Sequence, residues 1–259
     1  MELKEKNFEE SIEEYLCTVG GYVKGSSKNF SREIVIDTET LLKFVKDTQG
    51  KELEKLASRI TENVESYFLK SLCNKLDEKN YTMLNALREP LEIRGCKFRL
   101  VYWKPETNLN SETVELYEKN ILTCVRQLHY SRKNKNSLDM VLFVNGLPLA
   151  TMELKDQFTG QNVEDAIKQY KADRDPQEKI FQRAIVHFAI DLKQVFMTTK
   201  FEGEGTFLYR SIKVRTARAK LAAQEIPTVQ AIYGKKFCEK MFYLRFCKNI
   251  YCSMKKKIK

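Results

Sequence analysis

Asn136-Ser-Leu-Asp-Met-Val-Leu-Phe-Val-Asn-Gly-Leu-Pro-Leu-Ala-Thr-Met-Glu-Leu-Lys155 reads as two apolar strands joined near Asn145-Gly146. The first is apolar on both faces except at Asp139. A carboxylate there is costly unless it is paired, hydrogen-bonded or bound to a cation. The second stays apolar until it ends in Glu153-Leu154-Lys155. Side chains two apart share a strand face, so Glu153 and Lys155 project together, roughly 6.5–7 Å apart.

Register decides whether Asp139 joins them. A two-residue turn at Asn145-Gly146 pairs 144 with 147 and turns Glu153 away from Asp139. A three-residue loop, Asn145-Gly146-Leu147, pairs 144 with 148 and sets Asp139 opposite Glu153. Gly146 supplies the left-handed residue such a loop needs, and Pro148 opens the returning strand, where its missing N–H is tolerated. We expect the three-residue loop. Two carboxylates and an ammonium then converge. With the Leu154 backbone carbonyl they offer hard oxygen ligands that suit Mg2+, and the chemistry such a site serves is phosphodiester hydrolysis. The plainer alternative is a buried structural acid at 139 paired with Lys155, beside an E-x-K that any charged protein contains by chance.

Outward from this hairpin, the apolar spacing predicts helices over 7–17, over 38–47 with Asp37 as cap, over 51–77 and over about 80–88. Strands are expected at 97–103, 122–130, 184–190 and 194–199, with helices at 112–119 and, capped by Asn162, at 162–173. Helices first, then strands with an embedded helix, imply a mixed sheet flanked by helices. No internal repeat or low-complexity segment interrupts this order.

Composition narrows the function classes. Hydrophobic residues are 42% and charged residues 31% of 259, ordinary for a soluble globular chain. No apolar run approaches the ~18 residues a membrane span needs, and with no apolar core behind Met1-Glu2-Leu3-Lys4-Glu5-Lys6 a signal peptide is not expected. Seven cysteines without C-x-x-C spacing point to reduced thiols and a cytoplasmic setting. Two histidines, His129 and His187, are too few for a histidine metal cage. The net charge of +10 is unevenly spread. Of 45 Lys/Arg and 35 Asp/Glu, 14 and 2 lie in 208–259, which leaves 31 and 33 in 1–207. The body therefore has no global attraction for phosphate, and any nucleic-acid contact there is a local patch.

The segment from Leu138 to Lys155 resembles the D-x-V-L-F-x-N-G-L-P-x-x-x-x-E-L-K segment of the PD-(D/E)xK nucleases, and more closely of the N-terminal nuclease domain of type I restriction enzyme R subunits. Ala166-Ile-Lys-Gln-Tyr170, Asp173-Arg-Asp-Pro176, Val186-His187-Phe-Ala189, Met197-Thr-Thr199 and Thr206-Phe-Leu208 follow in family order, and Phe44 to Gln49 matches an N-terminal segment. The resemblance spans about 7–208. It implies an α/β fold, a restriction-endonuclease-like mixed sheet flanked by helices with a helical N-terminal region (7–90) before a catalytic sheet part (91–207). It implies that Asp139 and Glu153 hold Mg2+ with the Leu154 carbonyl, and that Lys155 is the catalytic lysine. Glu9 is the expected helper on the first helix, with Glu10 and Glu13 as rivals. Gln169, Tyr170, Lys171 and Arg174 are expected to line the site or touch phosphate. Relatives often carry a glutamine four residues before the helix tyrosine; here that position is Ala166. The implied partners are double-stranded DNA and the methyltransferase and specificity subunits.

The chain carries no G-x-x-x-x-G-K-[ST] loop, so no ATP site or DNA motor is expected in it. Its tail departs from the family after Leu208. Tyr209 to Val214 can be coded so that a shifted frame reads Pro-Phe-Asn-Lys-Gly, as the family does, and with suitable codons the same offset over 232–250 can yield an amphipathic pattern. We therefore expect 208–259 to be out of frame and poorly packed; its rival reading is a basic DNA-binding appendage. Two further functions compete with a nuclease domain of the restriction complex: a truncated, non-catalytic R subunit that docks on the methyltransferase and specificity subunits, and a standalone resolvase or repair nuclease, which the long helical region disfavours.

Overall fold

A computed structural model describes residues 2–18, 20–105, 107, 109–155, 160–191 and 194–213, with side chains from residue 8 to residue 209 within those ranges. The tail beyond 213, expected to pack poorly, lies outside the described residues.

Helix α1 (Glu2–Thr18) is followed by short strands β1 (Val23–Lys24), β2 (Phe30–Ser31) and β3 (Ile36–Asp37). Asp37 caps α2 (Thr38–Ala57) by accepting from the Thr40 N–H. The single helix expected over 51–77 is two. The end of α2 stops at Ser58, and α3 (Val64–Leu76) restarts with the Asn63 side chain accepting from the Ser66 N–H. Apolar spacing alone concealed this break, because Leu53, Leu56, Phe68 and Leu72 enter the same core from both helices. A capping box between Thr82 and Asn85 opens α4 (Met83–Arg88). Strands β4 (Leu91–Ile93) and β5 (Cys96–Phe98) form a small hairpin, and α5 (Ser111–Glu118) begins at the Asn110 cap.

The main sheet then builds from β6 (Leu122–His129), β7 (Ser137–Val144), β8 (Leu147–Lys155), β9 (Val186–Asp191), β10 (Gln194–Thr198) and β11 (Tyr209–Lys213), with β1 at one edge. Among the described residues its seven strands run β1-β6-β7-β8-β9-β10-β11. The β1–β6 and β8–β9 pairs are parallel and the rest antiparallel. The parallel β8–β9 crossover carries α6 (Val163–Lys168), a π-helical turn (Gln169–Asp173) and α7 (Lys179–Arg183). β11 begins just beyond position 207, where charge places the end of the body, and extends the sheet by pairing with β10.

Strand alternation sorts side chains into two cores. Met140, Leu142, Val144, Met152 and Leu154 pack with Phe44, Leu56 and Phe68 of the helical region. Val141 and Phe143 pack with Val163, Ala166 and Tyr170 of the crossover. This is the expected mixed sheet flanked by helices.

The hairpin turn differs from expectation. Val144 pairs with Leu147, and Asn145 (φ 50°) and Gly146 (φ 80°) form a two-residue turn with both residues left-handed, the type I′ geometry. Buried contacts select it. The Asn145 amide donates to the Leu100 carbonyl (2.9 Å) and to Asn120 Oδ1 (3.0 Å), and Asn145 Oδ1 accepts from the Ile121 N–H at 2.7 Å. The Gly146 carbonyl accepts from the Asp37 N–H at 2.9 Å. The register is nevertheless the expected one at the far end. Phe143 pairs with Pro148 but Leu142 with Ala150, so Leu149 is an extra residue in β8. That bulge cancels the one-residue offset of the shorter turn, and with Met140 opposite Met152 the next facing positions are Asp139 and Glu153.

Candidate active site

The β7–β8 ladder ends at Met140 and Met152, and the Asp139 carboxylate takes over from it. Its Oδ2 accepts the Leu154 N–H at 2.7 Å. Glu153 lies fully buried on the strand face it shares with Thr151, and Arg174 reaches it from just beyond the π-helical turn. Arg174 Nε and Nη2 approach Glu153 Oε1 at 2.9 and 2.7 Å. Nη2 also donates to the Ser137 carbonyl at 2.8 Å.

The second oxygen, Glu153 Oε2, is buried and has no hydrogen-bond partner. Asp139 is the other carboxyl that bears on Glu153, and its charge favours a proton on Glu153. Burial, then the Asp139 charge, hold Glu153 well above the usual carboxylate range, against the pull of Arg174. Two carboxyl groups can bond only through a shared proton or a cation between them, since an ionised carboxylate has acceptors alone. Hard oxygens short of positive charge are what a divalent ion of the Mg2+ kind fits. Among the described residues no three His, Cys, Asp or Glu side chains gather into a complete cage. An ion here would take its remaining ligands from backbone oxygen and water.

Glu9 of α1 is buried, and its Oε1 accepts from Gln127 Nε2 at 2.8 Å; the same nitrogen reaches Asp139 Oδ1 at 3.3 Å. Its rivals point elsewhere. Glu10 pairs with Arg126 (3.4 Å), and Glu13 pairs with Lys24 (2.8 Å) and Arg126 (3.5 Å). Lys155 ends β8 half-buried, two residues beyond Glu153 and in register with Asp191 of β9.

The crossover residues divide. Arg174, expected as a phosphate contact, is only 7% exposed and directs its guanidinium at protein oxygens. Tyr170 is a core aromatic: it is fully buried among Phe181, Phe201 and His187, and its hydroxyl meets Thr151 Oγ1 at 2.9 Å. Thr151 Oγ1 also bonds His187 Nδ1 at 2.8 Å. Gln169 has its Oε1 buried without a partner, and Lys171 is half-buried. Gln127 and the Thr151–His187 pair are polar groups the sequence reading passed over. Thr151 and His187 are polar residues flanked by apolar ones within their strands, the same signal that singles out Asp139.

The fold is restriction-endonuclease-like, an α/β mixed sheet whose central hairpin ends in a pair of facing acids. Residues 3–206 match the family Type I restriction enzyme R protein N terminus, and the chain belongs to that family. No curated protein matches the chain. No helix among the described residues is long and apolar enough to cross a membrane.

Proposed function

We propose that this chain is a Mg2+-dependent endonuclease part of a type I restriction enzyme R subunit, hydrolysing phosphodiester bonds of double-stranded DNA. One observation carries the reading: Glu153 Oε2, buried and unpartnered, beside the acid that faces it from the neighbouring strand. Asp139, Glu153 and the Leu154 carbonyl would hold the ion, with Glu9 behind Asp139 through Gln127. When bound, the ion lowers the pKa of a coordinated water and neutralises charge that builds on the phosphate. Arg174 holds Glu153 Oε1, which leaves Oε2 as the oxygen free to act. The Leu154 N–H fixes Asp139 Oδ2 in the same way. Lys155, on the face of Glu153, positions the water or stabilises the developing charge. Family membership supports DNA and the methyltransferase and specificity subunits as partners, and a cytoplasmic setting goes with them.

The test is cleavage of plasmid DNA with and without Mg2+, comparing the chain with Asp139→Ala and Lys155→Ala. Cleavage that needs Mg2+ and drops at least a hundredfold in both variants is expected. Equal cleavage by all three, or none by any, would favour a subunit that docks without cutting.

A further inference from the structure

Gln127 interrupts the β6–β7 ladder. Arg126 pairs with Met140 and Leu128 with Leu138, while Gln127 has a φ of 48°, left-handed for a residue that carries a Cβ. Such a conformation costs energy and persists only where surrounding structure enforces it. Burial does not explain it, because Gln127 is exposed.

Its hydrogen bonds do. Nε2 donates to Glu9 Oε1 at 2.8 Å and to Asp139 Oδ1 at 3.3 Å, and Oε1 accepts from Ser137 Oγ at 3.0 Å. The amide can be oriented only this way, since carboxylates accept and do not donate. One neutral donor thus ties an acid of α1 to the acid of β7. It eases their mutual repulsion without adding charge, and it leaves Asp139 Oδ1 a second lone pair.

We infer that Gln127 is a positioning residue: its left-handed backbone aims the amide so that Asp139, with Glu9 behind it, is set for the cation. The inference rests on the reading of Asp139 and Glu153 as cation ligands. Partners behind a metal's direct ligands typically change affinity by about 10–100-fold when removed.

Calorimetric titration with Mn2+, a probe for the Mg2+ site, and thermal melting test it on Gln127→Gly, Gln127→Glu and Asp139→Ala. Glycine relieves the backbone and deletes the amide. Gln127→Gly should melt no lower than the parent yet bind Mn2+ about tenfold more weakly. Gln127→Glu places a third carboxylate between two others. It should melt lower without divalent ion and recover more than the parent when Mn2+ is added. Loss of binding in Asp139→Ala with parental affinity in Gln127→Gly would overturn the role of Gln127 alone. Parental affinity in Asp139→Ala would overturn the cation site, and this inference with it.

Discussion

Arg174 grips Glu153 by two nitrogens on one oxygen, at 2.9 and 2.7 Å, and both side chains are buried. The pair is costly to break from one side, because the surviving Glu153 carboxyl stays dehydrated and must take up a proton with its hydrogen bonds lost. Arg174→Ala should destabilise the chain by about 3 kcal/mol in urea melts. Arg174→Lys should recover little, since a single ammonium cannot reproduce the fork onto Glu153 and Ser137. Adding Glu153→Gln to Arg174→Ala should restore a good part of the loss. A double variant no more stable than Arg174→Ala would show that packing, rather than charge, is what Arg174 supplies.

Gly146 has a φ of 80°, and a Cβ there would sit 2.2 Å from the Asp37 carbonyl oxygen and 2.9 Å from the Leu41 nitrogen. Both obstacles are backbone, so neither can swing aside. Gly146→Ala should cost more than about 2 kcal/mol. Asn145→Ala, which strips the buried amide bonds of the same turn, should cost a similar amount. Thermal denaturation of both variants checks this.

His187 is buried with its pKa pushed down to about 3 by burial, against 6.5 for an ordinary histidine. The unfolded chain therefore binds a proton that the folded chain refuses. The stability this histidine confers is complete above pH 6.5 and is lost progressively as pH falls toward 3. His187→Gln should flatten the acid limb of a stability-against-pH curve over that interval. A limb as steep as the parent's would assign acid unfolding to other groups.

Thr151 Oγ1 is the shared partner of the Tyr170 hydroxyl and His187 Nδ1, at 2.9 and 2.8 Å. Thr151→Val keeps the shape and removes the bonds. It should cost about 2 kcal/mol, because two buried polar groups lose their partner. The urea m-value should stay unchanged if the native packing survives.

The strands around the site were legible because period-two and apolar runs are strong signals, and Asp139 stood out by being the wrong polarity for its strand. Facing of Asp139 and Glu153 was anticipated through the wrong turn. A three-residue loop and a two-residue turn followed by a bulge at Leu149 deliver the same register, and apolar residues on both faces of β8 cannot tell them apart. The long-range bonds of Asn145 to Leu100 and Asn120 decide between them, and no local pattern encodes those. The break between α2 and α3 was hidden for a related reason: both helices feed one core, and the Asn63 cap lies within a run of polar residues that also suits a helix surface. Gln127 was invisible, since nothing in the sequence marks a left-handed glutamine in a strand.

The hairpin turn pushes into the N-terminal helices, with Asp37 and Leu41 against Gly146, and one apolar core runs from Phe8 to Val195. The helical third of the fold therefore cannot be treated as a removable cover. A fragment beginning at residue 91 would lose Phe44, Leu56 and Phe68 from beneath the central strands and bare the turn that anchors them. Trimming from the front should abolish folding altogether, and any minimal version of this protein has to keep its first ninety residues.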